Sequence, residues 1–324
     1  MKILSKNEIK ILSYLENNSK TSFSNIGKKT KLSQQRVSYT INSFKKRNIL
    51  TKFYPIIDYS KLNVILFRVY FRVSYTKEYT FENLIKHLVE NNKTSWVEEC
   101  GGKYDLIVTF FSFNPSQFNK EINEIIETFP RQLQNYCVLT TIVERRFCKK
   151  FLNNNISYDE LIIGGDKAPI EIDKDELLLL NILSKDSRIS SVELGKLLNF
   201  TPKTILSKIK SLEKKKIILG YKPLLDLRNA GNKIFLFLLK YHNITTSMES
   251  KLISYLRAHV NIIKVIKTIG EWNIEIKIEI NESSSIRKTE RDIRENFGQL
   301  IKETLTIPIY ATHKVTYFPQ FLIE

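Results

Sequence analysis

Four histidines, His87, His242, His259 and His313, and three cysteines, Cys100, Cys137 and Cys148, are the side chains best suited to metal binding or nucleophilic catalysis. The histidines lack metal-ligand spacing, and the cysteines form neither a CxxC pair nor an even disulfide framework. The expectation is therefore no metal site, no cofactor, and reduced, buried thiols. GxSxG, HExxH and phosphate-binding glycine loops do not occur, so no enzyme is expected from motifs. The chemistry left is recognition, in two short stretches. Gln34, Gln35, Arg36, Ser38, Tyr39 and Asn42 form the first; Lys203, Thr204, Ser207, Lys208 and Lys210 form the second. Arginine suits guanine edges, glutamine and asparagine suit adenine, and serine, lysine and tyrosine suit phosphate oxygens. The first set is expected to discriminate bases. The second, richer in lysine, is expected to grip phosphate with weaker discrimination.

Any exposed helix face is polar, so these sets gain meaning only from the elements that hold them. Ser33 and Thr201 have the character of helix N-caps, with Pro202 at the first helical position. Behind the polar faces run apolar stripes at i, i+4 and i+7, Val37, Ile41 and Phe44, then Ile205, Ile209 and Leu212. A short helix is expected after Ser22 and after Ser190, the latter with Glu193 as capping partner. A longer one opens at Ser5 with Glu8, or Asp173 with Glu176, at capping-box spacing. Ile49–Ile57 and Ile217–Leu225, interrupted by Pro55 and Pro223, read as short strands or wings leaving each helical unit.

The parallel is internal. A shift of 168 residues lays Lys6, Glu8, Leu12 and Leu15 on Lys174, Glu176, Leu180 and Leu183, and keeps Gly27, Pro55, Asp58 and Gly102 on Gly195, Pro223, Asp226 and Gly270. Two lysine-rich segments would not keep glycine, proline and aspartate in register by chance, so the chain is a tandem duplication. Its net charge of +17 favours polyanionic partners, although a lysine-rich composition also produces such a surface. The first residues lack a secretory apolar core and no run of about 18 apolar residues occurs, so a cytoplasmic location and no membrane partner are expected.

After each wing the pattern becomes β-α-β-β-α-β, with Phe67, Val69, Phe71 and Val73 alternating with Arg68, Tyr70 and Arg72 as in a half-buried strand. Its counterpart, Ile234–Tyr241, is apolar on both faces and is expected to be covered twice. Helices follow, with stripes Phe81, Leu84, Ile85, Leu88 and Met248, Leu252, Ile253, Leu256. The fold class is α+β, two winged helix-turn-helix domains alternating with two ferredoxin-like domains. The expected boundaries are 1–58, 62–150, a connector at 151–170, 171–227 and 231–324.

The string DKDELLLLNILSKDSRISSVELGKLLNFTPKTILSKIKSLEKKKIILGYKPLLD resembles the DNA-binding module of the Lrp/AsnC, or feast/famine, regulators, and the first copy matches less closely. The resemblance implies double-stranded DNA as partner and an amino acid or similar small molecule as effector. The family's Gly-x-Tyr-Asp turn is matched by Gly102, Tyr104 and Asp105. In the second copy Gly270, Trp272 and Asn273 replace the carboxylate by an amide. Effector contact and a purely structural turn are both open there. The resemblance also implies pairing of effector domains, either within the chain as a pseudo-dimer or between chains. Sirohaem decarboxylases resemble the same fold, but their arginine-rich segment is replaced by Lys52-Phe53-Tyr54-Pro55 and Gly220-Tyr221-Lys222-Pro223. A non-specific architectural DNA binder is the third alternative.

Overall fold

The computed structural model describes residues 4–74, 78–152, 160–242, 244–281 and 284–324. Each copy begins with three helices, α1 (Lys6–Asn17), α2 (Phe23–Thr30) and α3 (Gln34–Lys46) in the first. They start where a side chain satisfies otherwise orphaned amides. Ser5, Ser22 and Ser33 accept from the backbone N–H three residues on. The wing β1 (Leu50–Ile57) leads to β2 (Ile65–Val73), α4 (Glu78–Glu90), β3 (Thr94–Cys100), β4 (Leu106–Ser112), α5 (Pro115–Thr128) and β5 (Leu133–Arg146). A short strand, β6 (Leu161–Gly164), follows. The second copy is α6 (Lys174–Lys185), α7 (Ser191–Leu198), α8 (Pro202–Lys214), β7 (Ile218–Leu225), β8 (Lys233–Tyr241), α9 (Thr246–Ala258), β9 (Ile262–Ile269), β10 (Ile274–Ile280), α10 (Ser284–Phe297) and β11 (Ile301–Val315). The 168-residue shift carries β5 onto β11, Leu133 onto Ile301, so the duplication extends past the glycines to the last strand.

The two copies pair within the chain. Wings β1 and β7 run antiparallel, Phe53 opposite Pro223 and Pro55 opposite Tyr221. Each four-stranded ferredoxin-like sheet has the order of its last, first, third and second strands, and each last strand is long enough to serve both sheets. The first part of β5 pairs with β2 and the remainder with β9, while β11 divides itself between β8 and β3. The circuit β2-β4-β3-β11-β8-β10-β9-β5 returns to β2, closing a barrel with helices outside in which each of the eight strands has a neighbour on both sides. The connector contributes β6, which pairs with the end of β5. Tyr158 and Asp159 of that segment lie outside the described residues.

Closure changes what the strand pattern means. Phe67, Val69, Phe71 and Val73 pack outward against α4 and α5, as their period implies. Most of the opposite face is dry: Arg68 is 2% and Tyr70 0% exposed, because the second copy closes over them, while Arg72 at the end of the strand stays exposed. Strand β8 is covered on both faces, by its own helices and by the barrel interior. Met248 departs from its predicted stripe and is exposed. Only the first capping box is reciprocal. Glu176 instead binds Lys215 at 3.1 Å, and among the described residues Glu193 makes no return bond to the Ser190 amide.

Candidate nucleic-acid interface

The two heads are held by reciprocal crossed contacts. Ser19 N–H donates to the Tyr221 carbonyl at 3.1 Å and Ser187 N–H to the Phe53 carbonyl at 2.9 Å, equivalent bonds from each head to the other copy's wing. Lys20 stacks 3.8 Å from the Tyr221 ring centre and Arg188 4.7 Å from that of Phe53. The recognition helices α3 and α8 are thereby fixed about a pseudo-two-fold axis. Their buried sides match expectation, with Val37, Ile41 and Phe44, and Ile205, Ile209 and Leu212, all in the head cores.

On α3, Gln34, Gln35, Arg36, Tyr39 and Asn42 are exposed and Ser38 is half-buried. Tyr39 is 68% exposed, with the Arg36 guanidinium 5.7 Å from its ring centre. This is an unobstructed polar face with two planar groups on it. On α8, Lys203 and Ser207 are exposed, as is Lys210. Thr204 bonds the Thr201 hydroxyl at 2.9 Å, and Lys208 is tied to Asp173 at 3.2 Å and lies over Phe200. Leu206, which the sequence analysis did not place on this face, is half exposed at the position equivalent to Ser38. Head two therefore offers fewer free polar groups and one apolar one.

The glycine turns sit together at one end of the barrel. Gly102 has φ 89°, a left-handed conformation that glycine adopts without strain. Tyr104 and Trp272 are buried side by side with Cys100 and Leu139 in the barrel interior. The Asp105 carboxylate accepts from Val73 N–H at 2.8 Å and lies 3.5 Å from Arg72; Asn273 Oδ1 accepts from Tyr241 N–H at 3.1 Å, the equivalent bond. Asp and Asn thus hold the end of the first strand in both copies. Across the axis Lys103 meets Glu271 at 2.9 Å, which lowers the carboxyl and raises the ammonium pKa.

The thiols are free, Cys100 and Cys148 buried and Cys137 partly so, and burial pushes Cys137 up to about 12. Among the described residues no group of three His, Cys, Asp or Glu side chains could hold a metal. Among the described residues no helix is long and apolar enough to cross a membrane.

From the middle of the barrel toward the end opposite the glycine turns, charges from strands far apart in the chain come together. Arg68 pairs with Glu275 at 2.7 Å, both buried, and Lys277 with Glu98 at 2.5 Å. Burial alone would raise the Glu98 carboxyl, but Lys277, Lys264 and Arg68 hold it at about 2. Between this mouth and the paired wings lies a cavity of about 430 Å³, walled by Tyr54, Trp96, Phe147 and several lysines.

The winged helix-turn-helix DNA-binding family matches residues 4–51 and 173–218, the two heads. The leucine-responsive regulatory protein of Serratia marcescens is 38% identical over 66 residues, 20% of this chain and 40% of that protein. An uncharacterized HTH-type transcriptional regulator of Pyrococcus furiosus is 27% identical over 150 residues, 45% of this chain and 97% of its own length. One such relative thus corresponds to one copy. The chain carries two winged helix-turn-helix heads, and copy by copy it is similar to Lrp-type transcriptional regulators. The duplicated chain keeps its two heads on one barrel. Its fold also resembles that of the siroheme decarboxylase NirDL, with TM-score 0.62 at 12% identity, covering 97% of this chain and 96% of that one. The likeness is one of architecture.

Proposed function

We propose that this protein is a sequence-specific DNA-binding transcriptional regulator in which α3 reads bases and α8 chiefly grips phosphate. The observation that carries this is the free, exposed row Gln34, Gln35, Arg36, Tyr39 and Asn42 on a capped helix, set against a second recognition helix by paired wings. A helix N-terminus backed by arginine suits phosphate approach, and a pseudo-two-fold pair of heads suits two half-sites on one duplex. Regulators named among its relatives support the same reading. Contact by Lys203, Thr204, Ser207 and Lys208 belongs to the proposal, with Lys203 and Ser207 the freest. So does an amino-acid effector at the turns of Gly102, Tyr104 and Asp105, and Gly270, Trp272 and Asn273. Their buried rings and committed carboxylate leave the turn surface itself as the contact. A cytoplasmic location accords with DNA as partner.

The test is footprinting on DNA upstream of the protein's own gene at two salt concentrations, with and without a panel of amino acids. A discrete footprint that weakens in Arg36→Ala and Gln35→Ala supports the reading; uniform coverage of all sequences would instead indicate an architectural binder. A second reading, action on a carboxylated tetrapyrrole, is favoured by the whole-chain likeness to the decarboxylase NirDL, whose structure is also known in complex with an iron-uroporphyrin III analogue. Lys52-Phe53-Tyr54-Pro55, where such enzymes resemble one another in an arginine-rich segment, counts against it. A tetrapyrrole absorbance band co-purifying with the protein would favour it.

A further inference from the structure

The cavity between the wings and the barrel mouth contains more cations than its carboxylates neutralise. Lys149, Lys277 and Arg228 each have a carboxylate of their own, Glu279, Glu98 and Asp226. Four other lysines do not, Lys264 and Lys314 from the barrel and one from each wing; Lys314 donates to the Asn91 carbonyl at 2.6 Å and the Thr94 hydroxyl at 2.9 Å. Lys264 on β9 is 3% exposed; its ammonium lies 4.7 Å from the Trp96 ring centre and 3.6 Å from Glu144, whose other oxygen binds Arg146 at 3.2 Å. The Lys264 ammonium makes no hydrogen bond among the described residues. Among those residues Lys222 on β7, 8% exposed, donates to the Glu16 carbonyl and, at 3.1 Å, to the Cys148 sulfur. Lys52 on β1 donates to the carbonyls of Ser184 and Val315, at 3.3 and 3.1 Å.

Desolvating an ammonium that has no anionic partner, or that shares one with a second cation as Lys264 shares Glu144 with Arg146, is costly, and a fold keeps such groups together where something else supplies the counter-charge. We infer that this cavity is a binding site for a small molecule carrying two or more carboxylate or phosphate groups, held by Lys264, Lys222 and Lys52 against the aromatic wall of Trp96 and Tyr54. Several separated lysines, each a point charge with rotatable donors, suit several anionic groups on one ligand better than a single one. The volume of about 430 Å³ accommodates a ligand well beyond a simple inorganic anion. The site lies at the barrel end opposite the glycine turns and stands independently of the DNA-binding proposal.

The test is isothermal titration of the full chain, at constant ionic strength, with tricarballylate, tripolyphosphate and uroporphyrin III, and sodium chloride as blank. Saturable binding near one per chain by any of the three is expected; tricarballylate alone identifies carboxylate preference, tripolyphosphate alone phosphate preference, and uroporphyrin alone a large polycarboxylate. Lys264→Met should weaken that binding about tenfold or more, the scale of a charge-assisted contact. Lys222→Gln serves as a second variant should the first misfold, and Lys288→Gln on the exposed face of α10 should change nothing. Absence of binding by all three, or unchanged affinity in both Lys264→Met and Lys222→Gln, would overturn the inference. Carbon dioxide release from bound uroporphyrin would count against the regulator while supporting the cavity, and loss of footprinting with intact anion binding would do the same.

Discussion

At the scale of single residues, Asp105 and Asn273 separate a ligand role from a structural one. Both accept a backbone N–H from the end of the first strand, so Asp105→Asn should leave stability within about 1 kcal/mol of the parent, whereas Asp105→Ala should cost about 1–3 kcal/mol by stranding the buried Val73 amide. Urea unfolding of the two variants decides this. Lys264 makes a pH prediction. Burial, with Lys277, Arg68 and Arg146 nearby and Glu144 opposing them, lowers its pKa from 10.5 to about 8. The unfolded chain therefore holds this proton more tightly than the folded one. The cost to folding is full below about pH 8 and is relieved as pH rises toward 10.5, so this group adds stability over that window. The increment should disappear in Lys264→Met, measured as the difference between its denaturation midpoints and those of the parent across pH. The glycine-tyrosine-aspartate run was legible as a turn because glycine and its neighbours announce one. That its carboxylate is consumed by a backbone amide depends on a strand more than thirty residues earlier, and the sequence contains no local trace of that.

Among elements, the heads were the most legible part. Caps, stripes and wing prolines are local signals, and Ser33, Pro202 and the Val37/Ile41/Phe44 stripe specify a helix without help from the rest of the chain. Gly27 and Gly195 explain the compact turn before each recognition helix. A Cβ there would sit 2.6 Å from the Leu32 carbonyl oxygen or 2.5 Å from that of Phe200. Gly27→Ala and Gly195→Ala should each destabilise by about 1–3 kcal/mol, read by thermal unfolding, since the obstructing atom is backbone and cannot swing away. Function should follow the difference between faces. Arg36→Ala should reduce affinity for the preferred site by about 1–3 kcal/mol and relax preference at one base, while Lys203→Ala should weaken all sequences alike and flatten the salt dependence, both seen in gel shifts. Strand β6 and the wing pairing escaped the sequence because pairing partners are chosen by tertiary geometry. Leu206 escaped because a lone leucine among polar residues reads as a core position.

For the whole molecule, the barrel makes the two copies one cooperative body, since β5 and β11 each belong to both sheets. Tryptophan emission, with Trp96 by one end of the barrel and Trp272 in the other, and far-ultraviolet circular dichroism should report one coincident denaturant transition. Two separated transitions would contradict that coupling. The cationic cavity was invisible beforehand because its lysines come from β1, β7, β9 and β11 and look like ordinary surface charge until the chain brings them together. The contact between Lys103 and Glu271 has a different consequence. These residues occupy the same place in the two copies and meet each other across the axis. In an assembly of two identical halves that meeting would set lysine against lysine or glutamate against glutamate. Opposite signs are available only because duplication freed the halves to drift apart, and they make each copy prefer its own sibling to a twin of itself.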